Sequence, residues 1–243
     1  MQLHVQGGRP GAQLAAAEGR VAIVVDALRA SATTASLLHY GARRLVVVEG
    51  LQDAFEEARR LGDVTLVGER GCLKVEGFDL GNSPLQAPEP TLRSTVVFSS
   101  SNMSRCCVGA AAAPATFLGS LVTASACARL AWAAAVEHDC DLQLVPAGAA
   151  EDEYRFVLED YVAAGALLAG LRELGGEAAV VADDAAQAAL DLYETACRRG
   201  LEATFLNTDN GRFLCANGFA EDVRFASRRD VFATVPRVTA TYP

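Results

Sequence analysis

Four short stretches of this chain bring acids, arginines or hydroxyls together inside or just beyond an apolar run. RVAIVVD ends in Asp26, with Arg29 three residues on. DVTLVGER ends in Glu69 and Arg70. STVVFSSSN closes on a row of serines, including Ser101, and then Asn102. FVLEDYVAAG sets Glu159 beside Asp160 in an otherwise apolar segment. Carboxylates bind Mg2+ while leaving part of its water shell in place. The planar fork of arginine matches phosphate oxygens, and helix N-termini favour anions. Residues of these types at one place could hold a phosphate ester together with a divalent cation. Each also has a plainer explanation when taken alone. Asp or Ser after a strand is commonly a helix cap, and Arg29 and Arg70 could be surface arginines.

The Glu159–Asp160 pair divides on this test. A buried carboxylate is costly unless it is paired or bound to metal. Arg155 lies four residues before Glu159 and would pair with it across one helical turn. That leaves Asp160 as the acid in need of a function. A second unusual segment is EGFDLGNSP, residues 76–84. Gly77, Gly81 and Pro84 exclude a regular helix there, and no strand alternation survives. Ordering such a loop costs conformational entropy, so a fixed loop of this composition would serve a site.

The elements that must position these residues follow from hydrophobic periodicity. Continuous apolar runs predict buried strands at 20–26, 43–49, 63–69, 94–100, 115–120 and 141–148, with a seventh at 177–183 and a short one near 231–236. Helices are predicted at 31–41, 51–62, from the serine row to about 113, and at 123–138, 152–174 and 184–200. Strands alternating with helices make an α/β protein: three layers, α/β/α, around a mostly parallel or mixed sheet. No Pro/Ser-rich linker divides the chain. It therefore reads as one domain over 1–243, with two α/β halves as the alternative. In open sheets of this class ligands bind beyond the carboxyl ends of the strands. Asp26, Glu69, Arg70 and the serine row all fall there.

Composition narrows the function. The 243 residues are 51% hydrophobic and 21% charged, with a net charge of −9. Such an acidic chain is not a nucleic-acid binder. No apolar run approaches the ~20 residues of a membrane span. The N-terminus lacks a basic-then-apolar signal pattern, so a cytoplasmic location is expected. Seven cysteines without C-x-x-C spacing read as free thiols rather than a zinc site. Neither G-x-G-x-x-G, G-x-x-x-x-G-K-[ST] nor G-x-S-x-G is present, which removes dinucleotide binding, the P-loop and the nucleophile elbow.

VVDALRASATT, GERGCLKVEGFDLGNSP, the SSSNMS turn and LEDYVAAG, in this order, resemble the 2-phosphosulfolactate phosphatase family (ComB) over nearly the whole chain. GFDLGNSP preceded by GER is the most specific part. The resemblance implies a Mg2+-dependent phosphatase with an α/β/α fold. Its substrate would be a small phosphorylated organic acid, (2R)-2-phospho-3-sulfolactate, cleaved to 3-sulfolactate and phosphate on one route to coenzyme M. Carried over residue by residue, it makes Asp26, Arg29, Glu69 and Arg70 catalytic. Asp79, Asn82, Ser83, Ser101 and Asn102 would meet the substrate. Metal ligands would come from Asp26, Glu69, Asp79, Glu159 and Asp160. The attacking group is either a metal-activated water or Asp26 itself. No nucleic-acid or membrane partner is implied, and a homodimer stands open beside a monomer.

The chain departs from the family pattern in three places. Met103 replaces a Gly in the turn after the fourth strand, which requires a negative φ there. Thr123 replaces an Asn, and Pro146 precedes Ala147-Gly148 where a Cys is expected. These departures touch substrate choice more than reaction class. The alternatives are therefore another small phosphorylated hydroxy acid, or a relative that binds anions without turnover.

Overall fold

A computed structural model describes residues 1–150, 154–238 and 240–242. The chain opens with β1 (Gln2–Val5) and α1 (Gly8–Ala17), then runs through β2 (Val21–Val25), α2 (Ala30–His39), β3 (Arg44–Val48), α3 (Leu51–Leu61), β4 (Thr65–Arg70) and the short return strand β5 (Leu73–Lys74). β6 (Thr95–Ser99), α4 (Met103–Gly109), β7 (Thr116–Gly119), α5 (Ala124–Glu137) and β8 (Leu142–Pro146) follow. Then come the paired strands β9 (Ala149–Ala150) and β10 (Tyr154–Arg155), then α6 (Leu158–Gly175), β11 (Val180–Val181) and α7 (Asp184–Arg199). Three short helices, α8 (Leu201–Leu206), α9 (Asp209–Ala216) and α10 (Ala220–Ala226), lead to β12 (Ala240–Tyr242).

The main strands form two sheets. One has the order β11-β1-β8-β2-β7 and is parallel throughout. The other has the order β12-β3-β6-β4-β5, parallel except for the β4–β5 pair. The α/β/α layering expected from the alternation is present around each sheet. In the first, α5, α6 and α7 cover one face, while α1 and α4 cover the other. In the second, α3 covers the far face and α4 the near one. Strand alternation shows how this is built. Val21, Ile23 and Val25 join the core under α5 and α6, whereas Ala22 and Val24 join the core with Met103 and Cys106 of α4. All five β2 residues are buried, as a strand covered on both faces must be.

Several elements differ from the sequence reading. β1 and α1 were not foreseen, because QLHV is short and GRPG looks like a helix breaker. The helix expected from 152 starts at Leu158, and residues 151–153 lie outside the described residues. The strand expected over 177–183 shortens to Val180–Val181. Residues 231–236 form no strand. They are irregular, with Leu118 N–H donating to the Pro236 carbonyl, and the last strand is Ala240–Tyr242. Met103 is fully buried as the first residue of α4 and is not among the residues with positive φ, so the loss of Gly is accommodated. Among the described residues, no helix is long and apolar enough to cross a membrane.

Candidate active site

The carboxyl ends of the two sheets come together at one junction, here termed the cleft, where Asp26 and Glu69 interact and Arg29 reaches the Cys72 carbonyl. One residue beyond the register pairs Val25↔Pro146 and Gly68↔Ser99 lie Asp26 and Glu69. Asp26 sits at the start of α2, where its Oδ1 accepts from Ala30 N–H at 3.1 Å. Its own N–H donates to Ser31 Oγ at 3.0 Å. A helix start favours the ionised acid, but burial wins. The Asp26 carboxyl is pushed up to about 7, chiefly by desolvation and further by Glu69 and Glu159, against the pull of Ala30 N–H and Arg29.

Glu69 is buried at the end of β4. Its Oε1 accepts from both the N–H and the O–H of Ser101, each at 3.0 Å, and its Oε2 accepts from Cys72 N–H at 3.0 Å. Cys72 is reached by a tight two-residue turn between β4 and β5, with Gly71 at φ 57° and Cys72 at φ 68°. Positive φ at both central residues is the hairpin geometry that matches strand twist. The turn thus aims one Cys72 backbone group at Glu69 and the other at Arg29.

The late acid pair is bonded differently from the expected Arg155–Glu159 pairing. Asp160 is clamped: Oδ1 accepts from Ala27 N–H at 2.8 Å and Oδ2 from Gly148 N–H at 2.9 Å. It ties the ends of β2 and β8 to the first turn of α6. Burial, with Asp26 and Glu159 close by, raises its pKa well above the usual carboxylate range. Arg155 is exposed and does not pair with Glu159. Glu159 is 1% exposed and its Oε1 has no hydrogen-bond partner. Burial raises its pKa, opposed by its own backbone N–H and by the side chains of Asn210 and Thr208.

The two arginines also separate. Arg29 is 2% exposed, with Nη1 donating to Asp222 Oδ2 and Nη2 to the Cys72 carbonyl, both at 2.7 Å. Arg70 lies across the tips of β3 and β6. Its Nη2 donates to the Glu49 carbonyl and to Ser99 Oγ, both at 3.0 Å, and its Nη1 donates to its neighbour's carbonyl. In the 76–84 loop, Asn82 and Ser83 are buried at the cleft, and Ser83 Oγ donates to Asp222 Oδ1 at 2.8 Å. Asp79 is elsewhere. It is exposed, and its Oδ2 accepts from Leu66 N–H at 2.8 Å, near the opposite end of β4. Three residues of strand, about 10 Å, separate Leu66 from Glu69. Asp79 lines instead a cavity of about 510 Å³ between α3 and the start of β4. Ser101 serves Glu69, and Asn102 is the N-cap residue of α4.

Buried polar side-chain atoms nearly always have hydrogen-bond partners. Among the described residues four do not: Thr33 Oγ1, Asn82 Oδ1, Ser100 Oγ and Glu159 Oε1. They lie in the first half of α2, the 76–84 loop, the turn after β6 and the first turn of α6. No three His, Cys, Asp or Glu side chains among the described residues form a ready-made metal cage. Mg2+ does not require one, since it takes one or two carboxylates and completes its shell with water and phosphate oxygens. The Glu159 Oε1 atom and the second Asp26 oxygen fit that pattern.

Sequence reasoning missed the contribution of the C-terminal helices. Asp222 and Phe219 hold Arg29, while Thr208 and Asn210 flank Glu159. The one available signal was Asp222 itself, an acid on the buried face of α10 beside Val223 and Ala226.

Comparison with known proteins identifies the family. The profile described as 2-phosphosulpholactate phosphatase matches residues 10–241. Proteins named probable 2-phosphosulfolactate phosphatase are similar along most of their length. That of Carboxydothermus hydrogenoformans is 31% identical over 90% of this chain and 87% of its own. That of Caldanaerobacter subterraneus is 32% identical over 89% and 86%. That of Deinococcus radiodurans is 32% identical over 89% and 86%. With a match across residues 10–241 and relatives similar along most of their length, the chain belongs to the 2-phosphosulpholactate phosphatase family.

Proposed function

We propose that this chain is a Mg2+-dependent phosphatase that hydrolyses (2R)-2-phospho-3-sulfolactate to 3-sulfolactate and phosphate. The observation that carries the metal-dependent part is the open Oε1 of Glu159, buried within electrostatic reach of Asp26. Those two carboxylates would hold Mg2+, which would supply positive charge to the phosphate oxygens and acidify a bound water. The protein contributes the rest of the electrostatics. Arg29, rigidly held, neutralises phosphate charge. Asn82 and Ser100 present polar groups with hydrogen-bonding capacity still unused. Glu69 holds the Ser101 turn in place. Asp160 fixes the backbone that carries Asp26. In the reaction the oxygen of water joins phosphorus, the ester P–O bond breaks, and the proton ends on the alcohol.

The test is phosphate release from 2-phosphosulfolactate with Mg2+ or with EDTA, for the wild type and Asp26→Asn. The expected result is turnover that needs Mg2+ and falls by about 10³-fold or more in the variant, the scale of lost electrostatic stabilisation at a reacting centre. Release that persists in EDTA rejects the metal. A folded wild type that is inactive on this ester but active on another phosphorylated hydroxy acid rejects the substrate and keeps the reaction.

A further inference from the structure

Arg29 is gripped by a part of the chain to which nothing so far assigns a role. Its Nη1 donates to Asp222 of α10, and its guanidinium carbon lies over the Phe219 ring, 4.0 Å from the centroid. The Asp222 carboxylate is fixed from two sides. Oδ2 receives Arg29 at 2.7 Å and Oδ1 receives the Ser83 hydroxyl at 2.8 Å. Arg29 and Asp222 are 2% and 5% exposed at their side chains. One carboxylate therefore joins the start of α2 to the 76–84 loop, beside Asn82 with its unpartnered Oδ1.

Stability is a weak reason for such a pair. Taking two charges out of water offsets most of their attraction, and a well-packed apolar pair often does as well. The pair does, however, set a direction. Guanidinium has five N–H donors in a rigid plane. Asp222 and the Cys72 carbonyl each take one of the two terminal nitrogens, which fixes the guanidinium, and Phe219 covers it from one side. The remaining donors are thereby aimed by the grip, and Arg29 is close enough to Asp26 to lower its pKa.

We propose that Asp222 is a positioning residue: it orients Arg29 toward the phosphate of the substrate and holds Ser83, and with it Asn82, at the same cleft. This rests on the phosphatase reading above. It makes α10 part of the active-site apparatus rather than a terminal appendage.

The experiment compares wild type, Asp222→Asn and Asp222→Ala by steady-state kinetics, by calorimetric binding of inorganic phosphate and by thermal melts. Asp222→Asn keeps the shape and a partner for Ser83 and is expected to remain folded. Its kcat/KM should fall about 30- to 100-fold, with most of the loss in kcat. Its affinity for inorganic phosphate should drop about tenfold. Asp222→Ala strands a buried charge and is used only as far as its melt shows a folded protein. A purely structural Asp222 would move the melt and leave the other readings alone.

Chemical rescue gives an independent reading. Guanidinium added to Arg29→Ala should restore activity or phosphate affinity at least fivefold, and should fail in Arg29→Ala/Asp222→Asn. Equal rescue in both backgrounds overturns the proposal. So does an Asp222→Asn protein within twofold of wild type in kcat/KM and phosphate affinity. If the wild type hydrolyses none of the esters tried, the phosphatase reading fails and the phosphate-binding arm still decides the role of Asp222. A wild type that also fails to bind phosphate overturns both.

Discussion

At the scale of single residues, the cleft separates acids whose hydrogen-bonding capacity is used from acids with capacity to spare. Asp160 accepts two backbone N–H groups and cannot lose its charge-bearing oxygens without orphaning one of them. Glu159, its neighbour, keeps an oxygen without a partner in a place closed to water. The two substitutions should therefore diverge. Glu159→Gln is expected to lower kcat/KM about 100-fold or more while leaving the metal-free melting temperature unchanged or higher, because it removes a buried charge one of whose oxygens has no partner. Asp160→Asn should lower stability by about 1–3 kcal/mol, the range for a broken buried hydrogen bond, with Mg2+ affinity little changed. Denaturant unfolding and Mg2+ titration of both variants decide the matter. The reverse pattern would return Asp160 to the metal and make Glu159 structural.

At the scale of elements, the 76–84 loop does two jobs at its two ends. Its GNSP end reaches the cleft, through Asn82 and Ser83. Its FDL end closes the open edge of β4: Asp79 and Leu80 N–H both donate to the Leu66 carbonyl, and the Asp79 carboxylate accepts from Leu66 N–H. Edge strands need such covering. Asp79→Ala should cost about 1 kcal/mol of stability, the typical worth of one hydrogen bond, with kcat and KM within about twofold of wild type. A large loss of turnover at unchanged stability would show that Asp79 reaches substrate or metal after all. The hairpin turn at Gly71-Cys72 works at the same scale. It is a connection between strands that also delivers two backbone groups to charged side chains.

At the scale of the whole molecule, four buried acids, Asp26, Glu69, Glu159 and Asp160, converge in a chain of net charge −9. Burial raises the pKa of Asp26 to about 7, and those of Asp160 and Glu159 also lie above their ordinary values. The unfolded chain releases the Asp26 proton near pH 4, whereas the folded one keeps it to about 7. Between these values the folded state binds more protons, so its stability falls as pH rises. The metal-free protein should melt on the order of 5 °C lower at pH 8 than at pH 5, a shift worth roughly 1–3 kcal/mol at this size. Mg2+, which favours the ionised acids, should raise the melting temperature more at pH 8 than at pH 5. Scanning calorimetry at both pH values, with and without Mg2+, tests this. A Mg2+ effect independent of pH would mean that these acids are not its ligands.

What the sequence alone determined is what is local and repetitive. Period and burial in RVAIVVD, RRLVVVE and STVVFSS revealed the central strands, because a strand covered on both faces has to be apolar throughout. The rule that ligands sit beyond strand carboxyl ends then placed Asp26, Glu69 and the serine row at one edge. The ordered motifs also brought the family into view. Tertiary structure alone decided the division into two sheets, since strand order is not encoded in any strand's own pattern. It also decided the fates of Glu159, Asp160 and Asp79. Local context marked all three as unusual, but their hydrogen-bond partners depend on which N–H groups the fold brings to face them. The grip of Asp222 on Arg29 spans 193 positions of chain. No spacing rule reaches that far, because only packing of α10 against the cleft puts the two charges within 2.7 Å.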